Sequence, residues 1–157
     1  MAIPEEAGSV ASAAAGDAHS AIVTEGGGLW LCGSDRWTQL GLEKFWSKGH
    51  VWQRTPQLCG SLRERGVHVV SAACGSDHTL ALDDGGRVWA FGRGEHGQLF
   101  EGSRPFTSPP QVSAALSSSG DGAGGILAFG NCSCARRVEG LWKCIGSCNR
   151  SARDPGL

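Results

Sequence analysis

Short apolar runs, separated by clusters of glycine and acidic residues, set the rhythm of the chain up to about residue 112. Ser20 to Val23 and Leu29 to Cys32 form one pair of runs, Thr79 to Leu82 and Val88 to Phe91 another. Each pair is preceded by a small-residue run, Ser12 to Ala15 or Ser71 to Cys74, that breaks at Gly16 or Gly75. Runs of about four to six residues between glycine-rich breaks predict strands, because helices need ~10 or more residues and seldom carry adjacent glycines. The clusters Glu25-Gly26-Gly27-Gly28 and Asp83-Asp84-Gly85-Gly86 predict tight hairpins, since glycine and aspartate tolerate the positive φ of such turns. Leu29 to Cys32 and Val88 to Phe91 are apolar at successive positions, so both faces of each strand are expected to be buried, as in stacked small sheets.

The pattern repeats. Val10 to Leu40 lies over Val69 to Leu99 at a constant offset of 59, with 12 identities in 31 positions, among them Gly16/Gly75, His19/His78, Gly27/Gly86, Trp30/Trp89 and Gly33/Gly92. A fixed period of this size indicates an array of like units rather than one irregular globule. Beyond Gln39 and Gln98 the copies diverge, then realign at Thr55-Pro56-Gln57-Leu58 and Pro109-Pro110-Gln111-Val112 with an offset of 54. The first copy therefore carries five extra residues in a loop that holds Phe45, Trp46 and Trp52. Loops between units are where insertions are tolerated and binding surface varies.

Gly16-Asp17-Ala18-His19-Ser20 and Gly75-Ser76-Asp77-His78-Thr79, followed by Gly-Gly, by Val88-Trp89-Ala90-Phe91-Gly92 and by Gly97-Gln98-Leu99, resemble the repeat of the regulator of chromosome condensation family. The first copy keeps Gln39-Leu40 of the last element, with Thr38 in place of the glycine. The resemblance covers about residues 10 to 112 and implies an all-β fold, a β-propeller whose blades are four-stranded sheets, usually seven in number. Two blades are legible, so the expectation is a partial propeller: a leader at 1–9, a first repeat with its loop insertion at 10–68, a second at 69–112 and a divergent tail at 113–157. A closed propeller needs more chain than this, which implies a fragment, a short isoform or a truncated product. Two units alone would leave sheet faces and edges uncovered, so self-association through the missing blades is expected.

In the tail, Gly124 to Gly130 echoes Gly85 to Gly92, but about 16 residues early, and no further Gly-x-x-His follows. The echo reads as a partial third repeat at 124–130 and the remainder as disordered, Ser117 to Gly125 having the composition of a linker.

Composition narrows the function classes. The net charge is -1, with -3 up to Val112 and +2 beyond it, and no basic stretch, so direct nucleic-acid contact is not expected. Met1 to Ala15 has no basic n-region and no apolar run approaches membrane length, which gives a soluble, intracellular expectation, cytoplasmic or nuclear. Seven cysteines without a signal peptide predict reduced thiols. On that footing the sequons at Asn131 and Asn149 carry no weight.

Candidate chemistry is sparse. Gly92-Arg93-Gly94-Glu95-His96-Gly97 has dinucleotide-loop spacing, but the three prolines after Phe100 deny it the helix that this chemistry requires, so it is a turn and no cofactor is expected. Cys132, Cys134, Cys144 and Cys148 are the one set that would ligate zinc; their spacing is not that of a knuckle, and no resident metal is expected. No residue is assigned a catalytic role. His19 and His78 are expected to lock the blades through backbone hydrogen bonds, since repetition argues against catalysis. The family resemblance also makes them, with Asp17 and Asp77 beside them, partner-contact candidates. Trp30 and Trp89 are expected in the blade core; Trp37, Trp46 and Trp52 lie in the divergent loop as interface candidates. The expected function is a non-enzymatic protein-interaction module. The alternatives are a nucleotide exchange factor for a Ran-like small GTPase, which needs a longer closed propeller, and an isoform without independent activity.

Overall fold

The computed structural model describes residues 5–42, 52–100, 105–117, 122–137 and 140–148. Strands β1 (Val10–Ala15), β2 (His19–Thr24), β3 (Leu29–Ser34) and β4 (Trp52–Leu58) form one antiparallel sheet in sequence order. A five-residue helix, α1 (Gly60–Glu64), leads to β5 (Val69–Cys74), β6 (His78–Asp83), β7 (Val88–Arg93) and β8 (Phe106–Val112), a second sheet of the same order. The sheets stack as blades of an open β-propeller, β1 and β2 against β5.

The two copies match in detail. His19 pairs with Gly33 and His78 with Gly92; a bulge falls between Val10 and Ser12 in one sheet and between Val69 and Ser71 in the other. Both β-hairpin turns close on a glycine at positive φ, Gly27 at 74° and Gly86 at 75°, whose N–H donates to the carbonyl three residues back. Gly33 and Gly92 also have positive φ, and a Cβ on either would strike the backbone of the neighbouring turn at Ala18 or Asp77, which is why neither copy varies there.

The tail departs from expectation. Where disorder is expected, β9 (Ala123–Phe129), β10 (Cys132–Arg137) and β11 (Trp142–Gly146) form a third antiparallel sheet. Residues 149–157 lie outside the described residues. The echo at 124–130 is not the third strand of a unit, as its likeness to Gly85 to Gly92 suggests; β9 is a first strand, lying against β5 and β6. The true register is an offset of 54 from the second sheet. Ala123 takes the place of Val69, each just before a bulge, and Cys132 pairs with Gly146 as His78 pairs with Gly92. Gly140 (φ 86°) closes the hairpin as Gly86 does, and Gly146 (φ 91°) repeats Gly92.

Two apolar cores result. The first, between sheets one and two, gathers Val23, Leu29, Leu31, Leu62 of α1, Val69, Trp89 and Phe91. The second, between sheets two and three, gathers Leu80, Leu82, Val88, Leu99, Leu116, Ile126 and Ala135. Side chains alternate across each strand, so sheet two is buried on both faces, as the continuous apolar runs predict.

Candidate protein-docking surface

The histidines stand at the first residue of β2 and β6 and point into the neighbouring sheet. His19 Nε2 lies 2.9 Å from Thr79 Oγ1, and that hydroxyl donates to the Gln39 carbonyl at 2.6 Å. Its one proton being committed to the carbonyl, Thr79 accepts from His19, so the imidazole is the neutral form protonated at Nε2. His78 Nε2 meets Ser133 Oγ at 2.7 Å in the third sheet. Each histidine thus latches its own unit to the hydroxyl of the next. Both are buried, at 3% and 0% exposure, and burial lowers each pKa to about 4, so neither has a surface to offer a partner.

Trp30 and Trp89 are core-lining. The Trp89 Nε1–H donates at 2.9 Å to the Asp83 carboxylate, which also accepts from the Arg87 backbone and guanidinium across the Gly86 turn. Burial pushes the Asp83 pKa up, but these hydrogen bonds and the Arg87 charge outweigh it and the net shift is downward.

The partner candidates that reach the surface gather at the end of the array where the β5–β6 turn meets the loops after β3 and β7. Arg93 Cζ sits 4.5 Å from the Trp37 ring centroid and Arg36 Cζ 5.5 Å, so a half-buried indole carries a guanidinium from each of two adjacent units. Arg93 is held by Glu95 at 2.6 Å and by Asp77 at 3.5 Å. The loop is set by Gln39, whose side-chain oxygen accepts from Trp37 N, as Gln98 accepts from His96 N in the second unit. Thr38, standing where the second unit has Gly97, adopts the same left-handed conformation (φ 61° against 75°). Asp17 is exposed in the β1–β2 turn, and Trp52 is 62% exposed at the start of β4 opposite Ser34. Trp46 lies outside the described residues. Arg36, Arg93 and Glu95 were not singled out as candidates from sequence; the 59-residue register lays Arg93 over Ser34 and Arg36 over Glu95, so repetition does not mark them.

The cysteines differ from expectation. Cys132 is bonded to Cys148 and Cys134 to Cys144, so four of the seven are not thiols. Cys32, Cys59 and Cys74 take no part in a disulfide and are buried, and burial pushes the Cys74 thiol up to about 12. Zinc-knuckle spacing is absent, yet the sulfurs of Cys132, Cys134 and Cys144 lie within 4.8 Å of one another.

Stacked antiparallel sheets of four, four and three described strands, latched in register and presenting loops at one end, define an open array of propeller blades. Residues 26–82 and 69–98 each match the regulator of chromosome condensation (RCC1) repeat, and the chain is an RCC1-repeat protein. It is 42% identical over 84 residues to the human X-linked retinitis pigmentosa GTPase regulator, covering 54% of this chain and 8% of that protein. It is 38% identical over 95 residues to the mouse secretion-regulating guanine nucleotide exchange factor, covering 60% and 19%. The crystal structure of human WBSCR16 superposes with a TM-score of 0.73 at 24% identity, over 88% of this chain and 33% of that one, and shows the shared fold. The chain thus spans less than a fifth of the length of either curated relative.

Proposed function

We propose that the chain is a non-enzymatic docking module that presents the Trp37 loop end to a protein partner, with a Ran-like small GTPase as the partner class. The observation that carries this reading is the Trp37 platform, an aromatic face held between Arg36 and Arg93 and rimmed by Asp77 and Glu95. Tryptophan and arginine in a preset geometry are the residues that dominate protein interfaces, and ordering them beforehand lowers the entropic cost of docking. The buried polar residues support a scaffold role, since His19, Thr79, His78 and Ser133 are spent on holding units together. The names of two relatives, a GTPase regulator and a guanine nucleotide exchange factor, support the partner class.

The second reading, exchange activity itself, rests on the exchange-factor relative and belongs to a longer propeller. One experiment separates them. Immobilised chain is titrated with nucleotide-loaded Ran while release of a fluorescent nucleotide is followed in parallel. Docking without accelerated release, weakened about tenfold or more by Trp37→Ala, is expected. Accelerated release at micromolar chain favours the second reading, and binding unaffected by Trp37→Ala removes the platform from the interface.

A further inference from the structure

We propose that, when reduced, the third sheet binds one zinc ion through Cys132, Cys134, Cys144 and Cys148, and that zinc and the two disulfides are alternative closures of the same face. The sequence spacing hides this site and the strand register creates it. Ser133 and Ala135 point into the second sheet, toward His78 and the second core. Alternation along β10 therefore turns Cys132 and Cys134 to the opposite face. Cys144 pairs directly with Cys134 across the hairpin, while its neighbour Ile145 packs into the second core, so Cys144 shares that opposite face. Cys148, bonded to Cys132, brings the fourth sulfur alongside.

The geometry suits a tetrahedral soft ion. A zinc–sulfur bond of ~2.3 Å puts the sulfurs of a four-thiolate site ~3.8 Å apart. Cys132 Sγ and Cys134 Sγ already stand 3.8 Å apart. The sulfur of Cys144 lies within 4.8 Å of both, and the two covalent pairs, Cys132 with Cys148 and Cys134 with Cys144, must open. β11 is the outer strand and nothing among the described residues pairs with its far edge, so it has room to move outward. Alternation also places Arg136 on this face two positions beyond Cys134, a cation beside what would be a dianionic centre. The corresponding face carries a latching histidine in units one and two; in unit three Cys132 stands in that position.

The chemistry balances. Two molecules of a dithiol reductant each transfer two electrons and two protons to one disulfide and leave as cyclic disulfides, returning four thiols. Zinc then binds them as thiolates, with release of their protons to solvent.

The test uses the full chain, oxidised and reduced, titrated with Co²⁺ as a spectroscopic probe and with Zn²⁺ as its competitor. The reduced chain should take up about one equivalent of Co²⁺, with the intense ligand-field and sulfur charge-transfer bands of tetrahedral four-thiolate coordination. Zn²⁺ should bleach those bands, and the oxidised chain should show none. Cys134→Ser should lose the four-thiolate spectrum, and Cys74→Ser should keep it. The sulfur charge-transfer intensity of the unsubstituted reduced chain counts the thiolates directly, so the result stands even where a variant folds poorly. Absence of tetrahedral bands in the reduced chain, an intensity matching two sulfurs or fewer, or an unchanged spectrum in Cys134→Ser overturns the site.

Discussion

His78 Nε2 and Ser133 Oγ, 55 positions apart in sequence, meet at 2.7 Å in the interior, and the pair repeats the contact of His19 with Thr79. Removing one partner strands the other in a dry site. His78→Ala should cost ~2–3 kcal/mol by leaving the Ser133 hydroxyl buried without its imidazole, on top of lost packing. Thr79→Val should cost a comparable amount through His19. The check is a double-mutant cycle at His19 and Thr79, read by urea unfolding; additive losses would mean that the contact is incidental.

Acid should loosen the array. A free histidine titrates near 6.5, and burial lowers His19 and His78 to about 4. Above pH 6.5 both folded and unfolded chains hold them neutral, so their contribution is fully present. Between 6.5 and 4 the unfolded chain takes up protons that the folded chain refuses, and stability is lost on the order of 3 kcal/mol per histidine. Asp35 works the other way: burial raises it from 3.8 to about 6, so it adds stability as pH falls through that range. Two histidines against one aspartate leave a net loss, measurable as a lower urea midpoint at about pH 4.5 than at about pH 7. A flat profile would contradict the buried neutral imidazoles.

Thr38 is the sole described non-glycine residue at positive φ, and a β-branched side chain there costs ~1–3 kcal/mol. Thr38→Gly relieves the strain but gives up the hydroxyl and loosens the unfolded chain, so it should stay within about 1 kcal/mol of the parent. Thr38→Ala keeps most of the strain and loses the one hydroxyl proton that is shared between the Trp37 and Thr107 carbonyls, so it should lower stability. Thermal melting should place Thr38→Ala clearly below Thr38→Gly; equal midpoints would show that the left-handed backbone at this position carries no strain.

How much of this was visible in the sequence follows the same residues. Units one and two declare themselves because positions with no freedom, Gly33/Gly92 against a neighbouring backbone and His19/His78 in the latch, are identical in both. Unit three keeps the geometry with other residues. Laid over Val69 to Gly92 at its true offset, Ala123 to Gly146 shares Ala135, Gly140 and Gly146, three identities in 24 positions. Phe129 stands for Gly75, Cys132 for His78, and Trp142 arrives one place before the Trp89 position. What persisted was positive φ at Gly140 and Gly146, which identity counting does not weigh. The Trp37 platform was half legible: its indole and Asp77 carried a signal, but Arg93 reaches Trp37 through a contact between units that no single repeat contains.

Reduction should soften the third sheet in the absence of metal. The bridges span 16 and 10 residues, and loops of that size constrain the unfolded chain by about 3 kcal/mol each. Amide exchange in β9 to β11 should speed up in a metal-free reducing buffer while β2 and β3 hold. Equal acceleration in all three sheets would indicate that the bridges stabilise the whole array instead.

The chain should also associate with itself. Val10, Val70, Leu127, Phe129 and Leu141 are exposed, and the far edge of β11 carries no described strand. Light scattering after size exclusion should give a mass that rises with concentration; a sharp monomer peak at every loading would show that the open faces are tolerated.

The latch has a direction. Each described junction joins an imidazole from the unit before to a hydroxyl from the unit after; Thr79 and Ser133 supply that hydroxyl and Ser20 holds the same position in the first unit, whereas only the first two units carry the imidazole, His19 and His78. The order of the units is therefore partly written into their chemistry. Exchanging the first two leaves a donor and an acceptor at each seam, whereas moving the third forward puts Cys132 where its follower needs a ring nitrogen.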